Sequence, residues 1–411
     1  MSPSSSLRAV TTHVLATPVL ILPLALTTVN AGVAWIVAAS VRATIGLPDA
    51  VVPIAASILD VCGSLALIFI VAMLLKSALM GVSDTCSEVW THAPAFAAGL
   101  MAVWSLASWW EARGASHFAV VLWGLTLIAF MALQLMFVCK IVGLARLAYP
   151  ERRFLATLYA KMEPPWIVPL VGITAATATG SRTLGWFIHV VSGPQAALDG
   201  LRYTPVTLGT FWAILIVPPM WIKAVRTGTL WRNPPCAILA ASAGIVLAGW
   251  MGATGPITVG LPSDLRSSAF THILALLVFV TGLPIVALAP RYLWSPVPCC
   301  ATRAPFDPKV STVGFPLEIC AIGMLQYAVV AEDVSGVGSA HARAACIVAW
   351  LLLVACTLAA ATILAQYAEA LLQALHRALA ERDAVLTDIQ PQFGLQESSM
   401  SAATVPTLDE S

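Results

Sequence analysis

Ten stretches of about 20 or more apolar residues, each interrupted by few charges, occupy this chain from about residue 13 to about residue 371. A helix needs roughly 20 such residues to cross about 30 Å of hydrocarbon. Lipid offers the backbone no hydrogen bonds, so stretches of this kind become helices. Their approximate limits are 13–40, 51–76, 90–110, 117–142, 164–186, 204–224, 234–258, 267–290, 311–331 and 343–371. Only 10% of residues are charged and 59% are hydrophobic, against about 25% charged in a soluble domain. The chain therefore reads as an all-α integral membrane protein with ten transmembrane helices in residues 13–375. A cytoplasmic segment, 1–12, precedes them, and a Ser- and Thr-rich tail, 376–411, follows, expected to be disordered because it is too polar to build a core.

Read in pairs, the stretches make five helical hairpins whose first members start near residues 13, 90, 164, 234 and 311, a spacing of about 70 to 80 residues. Cytoplasmic loops carry the excess of Lys and Arg. With the N-terminus inside, fifteen of the 21 basic residues fall on the inner side and six (Arg42, Arg113, Arg182, Arg202, Arg266, Arg343) on the outer. That asymmetry predicts an even number of spans with both termini cytoplasmic. Each odd-numbered span has proline in or near its first half: Pro18 and Pro23, Pro94, Pro165 and Pro169, Pro234 and Pro235, and Pro316. Proline removes a backbone donor and kinks a helix interior, and such breaks are tolerated at membrane depth where they face protein or water. The odd spans are thus expected to surround a central pore, with the even spans facing lipid.

Phe315 and Pro316 put an aromatic ring and a helix break together in the ninth span, expected mid-membrane. From the residues alone, Phe315 is either a core side chain or a plug, since a ring in a narrow path dries and closes it. Glu318 follows three residues later, about 60° around a 3.6-residue helix and so near the same face. A charged carboxylate there would repel anions and costs roughly 3 kcal/mol at membrane depth. Two readings stay open for it: a protonatable group coupling transport to protons, or a hydrogen bond to a neighbouring span. Asp60 is a second intramembrane acid, read as structural, and Arg182 either draws anions into a vestibule or snorkels to the headgroups. His189 and His272 stand alone, with no Cys or carboxylate at ligand spacing, so no metal and no cofactor is expected. Neither Gly-x-Ser-x-Gly, His-Glu-x-x-His nor a Walker-type Gly-rich loop occurs, and the chain is not read as an enzyme.

The ninth span, with Phe306, Pro308, Gly314, Phe315, Pro316, Leu317, then Ala321, Ile322, Gly323, Tyr327 and Ala328, resembles that of the tellurite-resistance/dicarboxylate transporter family. This family includes slow-type anion channels and C4-dicarboxylate/malate transporters. Gly314 stands where the family's Thr-Phe-Pro has Thr. The segment PPWIVPLVG, Pro164 to Gly172, resembles the family's fifth span, and Ile21 to Trp35 its first more weakly. The likeness in span number and order covers about residues 13 to 375.

The resemblance implies a homotrimer in which each subunit is its own pore, made by five inner helices and closed by Phe315. A small anion, inorganic or a C4-dicarboxylate such as malate, is then the expected substrate, and the plasma membrane the expected location, with no nucleic acid involved. The rival reading is a polytopic receptor or scaffold whose interior is packed and conducts nothing.

Overall fold

The computed structural model describes residues 19, 21–148, 154–178, 195–254, 267–293 and 310–400. Among these there is helix and no strand. The principal elements are α1 (Ile21–Ser40), α2 (Val51–Met80), α3 (Ala93–Ala112), α4 (Ser116–Ala148), α5 (the broken segment Pro164–Ala178), α6 (Gln195–Arg226), α7 (Ile238–Ala253), α8 (Ala269–Leu293), α9 (Ser311–Ser335) and α10 (Ala340–Met400). Eight of the described helices, all but α3 and α5, are long and apolar enough to cross a membrane by length and composition, as expected of a multi-pass membrane protein. At 20 residues α3 equals α1 in length, and Trp104, Trp109 and Trp110 with two serines lower its hydropathy.

Burial sorts these elements into two layers. In α1, α9 and the span Pro234–Ala253 that includes α7, 78–89% of the apolar window is buried, against 22–44% in α2, α4, α6, α8 and α10. The inner elements pack in cyclic order: α1 on α3, α3 on α5, α5 on α7, α7 on α9, and α9 back on α1. Of the outer helices, α2 lies on α1 and α3, α4 on α3 and α5, α6 on α5 and α7, and α8 on α7 and α9. On α10, the Thr357 hydroxyl accepts from the Trp35 indole of α1 at 3.1 Å, and Ile363 lies against Gly314 of α9. That bundle ends at Ile363, beyond which α10 belongs to a separate compact unit.

Small residues allow the inner helices to touch, as lipid gives no hydrophobic drive between spans and close van der Waals contact must hold them. A Cβ added at Gly244 of α7 would stand 2.9 Å from the Cys320 backbone nitrogen of α9. Broken α5 needs another device. It alternates 3-10 turns (Pro164–Trp166, Gly172–Thr174) with short α-helical pieces (Ile167–Val171, Ala175–Ala178), which leaves carbonyls outside a regular ladder. Outer α4 meets them: Gln134 donates to the Leu170 carbonyl at 2.8 Å, and the Trp123 indole to that of Ala176 at 2.9 Å. Gln134→Leu is expected to cost about 1–3 kcal/mol, because the buried Leu170 carbonyl loses its donor. A lowered thermal midpoint of the detergent-purified protein would show this, and an unmoved midpoint would mean that another donor takes over.

Three expectations change. Pro94, Pro164 and Pro234 occupy the first turns of α3, α5 and the 3-10 turn before α7, with Pro165 and Pro235 beside them. There proline's missing N–H has no intrahelical partner to lose, so these residues start helices instead of kinking them. Pro23 is the third residue of α1, Pro169 lies within the broken α5, and Pro316 is the one proline inside α9. The second change is depth: Phe315 is the fifth residue of α9, near its start and not halfway along. The third is the tail, whose backbone is helical as far as Met400; Ala, Leu, Glu and Arg, good helix formers, dominate its first part. Pro18, Arg182, His189, Phe306 and Pro308 lie outside the described residues.

Candidate vestibule and gate

All five inner elements begin at one cavity of about 490 Å³. Pro23 of α1, Pro94 of α3, Pro164 of α5, Pro235 of the turn leading into α7, and Ser311 of α9 all line it. A helix start carries the positive end of the macrodipole, about half an elementary charge, although the prolines at four of these starts bring no N–H to it. Five such ends meet at the cavity, and no ring of basic side chains lines it among the described residues.

Basic side chains gather at the same end, where they hold the linkers that lead into inner helices. Lys223, at the end of α6, donates to the carbonyls of Tyr159, Ala160 and Met162 at 3.1, 2.7 and 2.7 Å. Its three ammonium protons are thereby used, and it lends the cavity wall charge more than free donors. Lys76 of α2 pairs with Glu88 at 2.6 Å, and Lys140 of α4 donates to the Trp90 carbonyl at 3.0 Å. Glu163 also lines the cavity and offsets part of this positive field.

Phe315 is the deepest residue that α9 contributes to the lining, and it is 6% exposed. Beyond it the inner helices are closed on one another: Ile322 of α9, Asn30 of α1 and Ser105 of α3 are buried, and the Ser105 hydroxyl donates to Asn30 Oδ1 at 2.7 Å. Pro316 cannot donate to the Thr312 carbonyl one turn back, which loosens α9 next to the ring. Gly314 is fixed by packing, since a Cβ there would collide with the Thr27 side chain of α1. Thr27 in turn donates to the Ser311 carbonyl at 2.9 Å. Gly314→Ala is therefore expected to destabilise the protein by about 1–3 kcal/mol, with Thr27→Ala restoring part of the loss in the double variant. Additive losses in thermal unfolding would disprove this contact.

Glu318 is fully buried, and neither carboxyl oxygen has a hydrogen-bond partner among the described residues. The hydrogen bond to a neighbouring span that one reading required is therefore not found there. Nor does Glu318 line the cavity. It sits four residues after Gly314, within electrostatic reach of Cys62 on α2 and Cys356 on α10. Phe315 and Glu318 are thus a turn apart, with one facing the cavity and the other held behind it.

Asp60 is not a lone acid. It pairs with Arg113 at 2.6 Å, accepts from the Trp109 indole at 3.1 Å, and is half-exposed, while the guanidinium lies 4.5 Å from the Trp109 ring centroid. His272 is not alone either: its Nδ1 lies 2.7 Å from the Tyr327 hydroxyl. No local spacing could have announced that contact between residues 55 apart.

No protein-family model matches this sequence, and no curated protein matches it.

Proposed function

We propose that the protein carries small anions, inorganic or C4-dicarboxylate, across a membrane through a pore enclosed by five inner helices and closed by Phe315. One observation carries this reading: five helix starts converge on a cavity whose deepest α9 residue is Phe315. The resemblance of Gly314-Phe315-Pro316 and Pro164 to Gly172 to the tellurite-resistance/dicarboxylate transporter family supports it. In this reading the ten spans form five hairpins, with the broken α5 belonging to the fifth span. The vestibule opens to the cytoplasm, because Lys76, Lys140 and Lys223 gather at its end and basic residues mark the inner face. Both termini are then cytoplasmic, the plasma membrane is the host, and the pores assemble as a homotrimer.

Glu318 gives the proposal a proton. An ionised carboxylate with neither cation nor donor beside it is costly in a dry interior. Such a group takes up or releases a proton as the gate beside it lets water reach it, and this couples anion passage to a pH gradient.

The test is uptake of labelled chloride, nitrate and malate into proteoliposomes, with and without a pH gradient. Saturable uptake of at least one anion is expected. Uptake of none, from folded and correctly inserted protein, would favour the receptor or scaffold, for which the closed packing beyond Phe315 is the supporting observation.

A further inference from the structure

About 18 Å along α9 from Phe315, at the end opposite the vestibule, the Tyr327 hydroxyl lies between two imidazoles. Its oxygen is 2.7 Å from His272 Nδ1 of α8 and 2.8 Å from His341 Nε2 of α10. His341 Nδ1 is in turn 2.7 Å from the Ser335 hydroxyl. His341 and Ser335 are exposed, while His272 is half-buried. No third His, Cys, Asp or Glu joins the two rings among the described residues, so this is not a metal cradle. Charged groups toward this end of the surrounding elements are Glu332 and Asp333 of α9, Arg343 of α10, and Arg42, which Asp49 holds at 2.6 Å; Glu318 of α9 and Arg291 of α8 lie toward the other end. From α7 comes the uncharged Trp250 indole, which donates to Thr271 at 2.9 Å.

A phenol has one proton to donate, and a neutral imidazole has one N–H and one acceptor nitrogen. The chain of four groups therefore runs in a single direction at a time, and it can run in either. We propose that Ser335, His341, Tyr327 and His272 form a one-proton relay between the exposed rim and α8, serving the proton-coupled transport proposed above and resting on that reading.

A proton taken from water leaves His341 with N–H on both nitrogens, Nδ1 donating to Ser335 and Nε2 to the Tyr327 oxygen, whose own O–H donates to His272. In the transfer the Nε2 proton passes to the phenol oxygen while the phenol's proton passes to His272 Nδ1. Tyr327 ends with one proton, its O–H now donating to His341 Nε2; His341 is neutral with its N–H on Nδ1, and His272 carries the charge, which the same two transfers in reverse return to His341 and to water at the exposed rim. A second proton does not fit. Both rings, with centroids 5.7 Å apart, would then donate to one oxygen, leaving the phenol proton without an acceptor and two like charges side by side.

Two readouts on the full-length protein test the relay. In nitrogen-15 NMR of the purified protein, the wild-type His272 and His341 rings are expected to share one protonation step, and Tyr327→Phe, which keeps the ring and removes the bridge, to split it into two independent steps. In proteoliposomes, the ratio of uptake with a pH gradient to uptake without one is expected to fall at least about tenfold in Tyr327→Phe. Independent titration of the two rings in the wild type, or a Tyr327→Phe protein unchanged in both readouts, would overturn the relay. Wild-type vesicles that take up no anion, while the two rings still titrate as one, would overturn the transport reading and leave the relay standing.

Discussion

Anion flux through Phe315→Ala is expected to exceed wild-type flux by at least about tenfold, the effect of removing about 1.4 kcal/mol from a barrier. The benzyl group is the last α9 side chain to line the cavity. In the proposed pore, removing the ring widens the path at that point, which is how hydrophobic constrictions are opened. Phe315→Leu, which keeps an apolar plug, should fall between the two. The folding cost of the Ala variant should stay below the roughly 3–5 kcal/mol of a Phe→Ala change in a sealed core, because one side of the ring borders the cavity. An unchanged flux, with insertion verified, would make Phe315 an ordinary packing residue.

The second large effect concerns Glu318. Glu318→Gln keeps the shape of the side chain and removes its titration, so the ratio of uptake with an inward proton gradient to uptake without one should drop to about one. The amide brings a donor into a site where neither carboxyl oxygen has a partner among the described residues, and it should fold because it carries no charge. If the pH dependence survives this change, the proton is handled elsewhere, and the Tyr327 relay becomes the place to look. If Glu318→Gln and Tyr327→Phe each flatten the response, both proton sites on α9 are needed.

What could be read from the chain differs by kind of interaction. Apolar length alone locates the eight described helices long and apolar enough to cross a membrane, and Pro94, Pro164 and Pro234 mark buried elements, which they begin and do not kink. Phe315 stands out in the sequence as a ring beside a proline break that resembles the family's Thr-Phe-Pro, and in the structure it lines the cavity. Long-range polar contacts were invisible. Gln134 with Leu170, Arg113 with Asp60, and Tyr327 with two histidines join residues 36, 53, and 55 and 14 positions apart. Neither hydropathy nor periodicity carries information about such pairs. The helical course of α10 to Met400 follows the helix propensity of its Ala, Leu and Glu residues, which its charge density does not reveal.

The reversal potential of currents through reconstituted Phe315→Ala, under a gradient of potassium chloride, tests most directly whether the five converging helix starts form an anion path. The proposal predicts reversal near the chloride equilibrium potential. Reversal near the potassium potential, or no current from inserted protein, would contradict it.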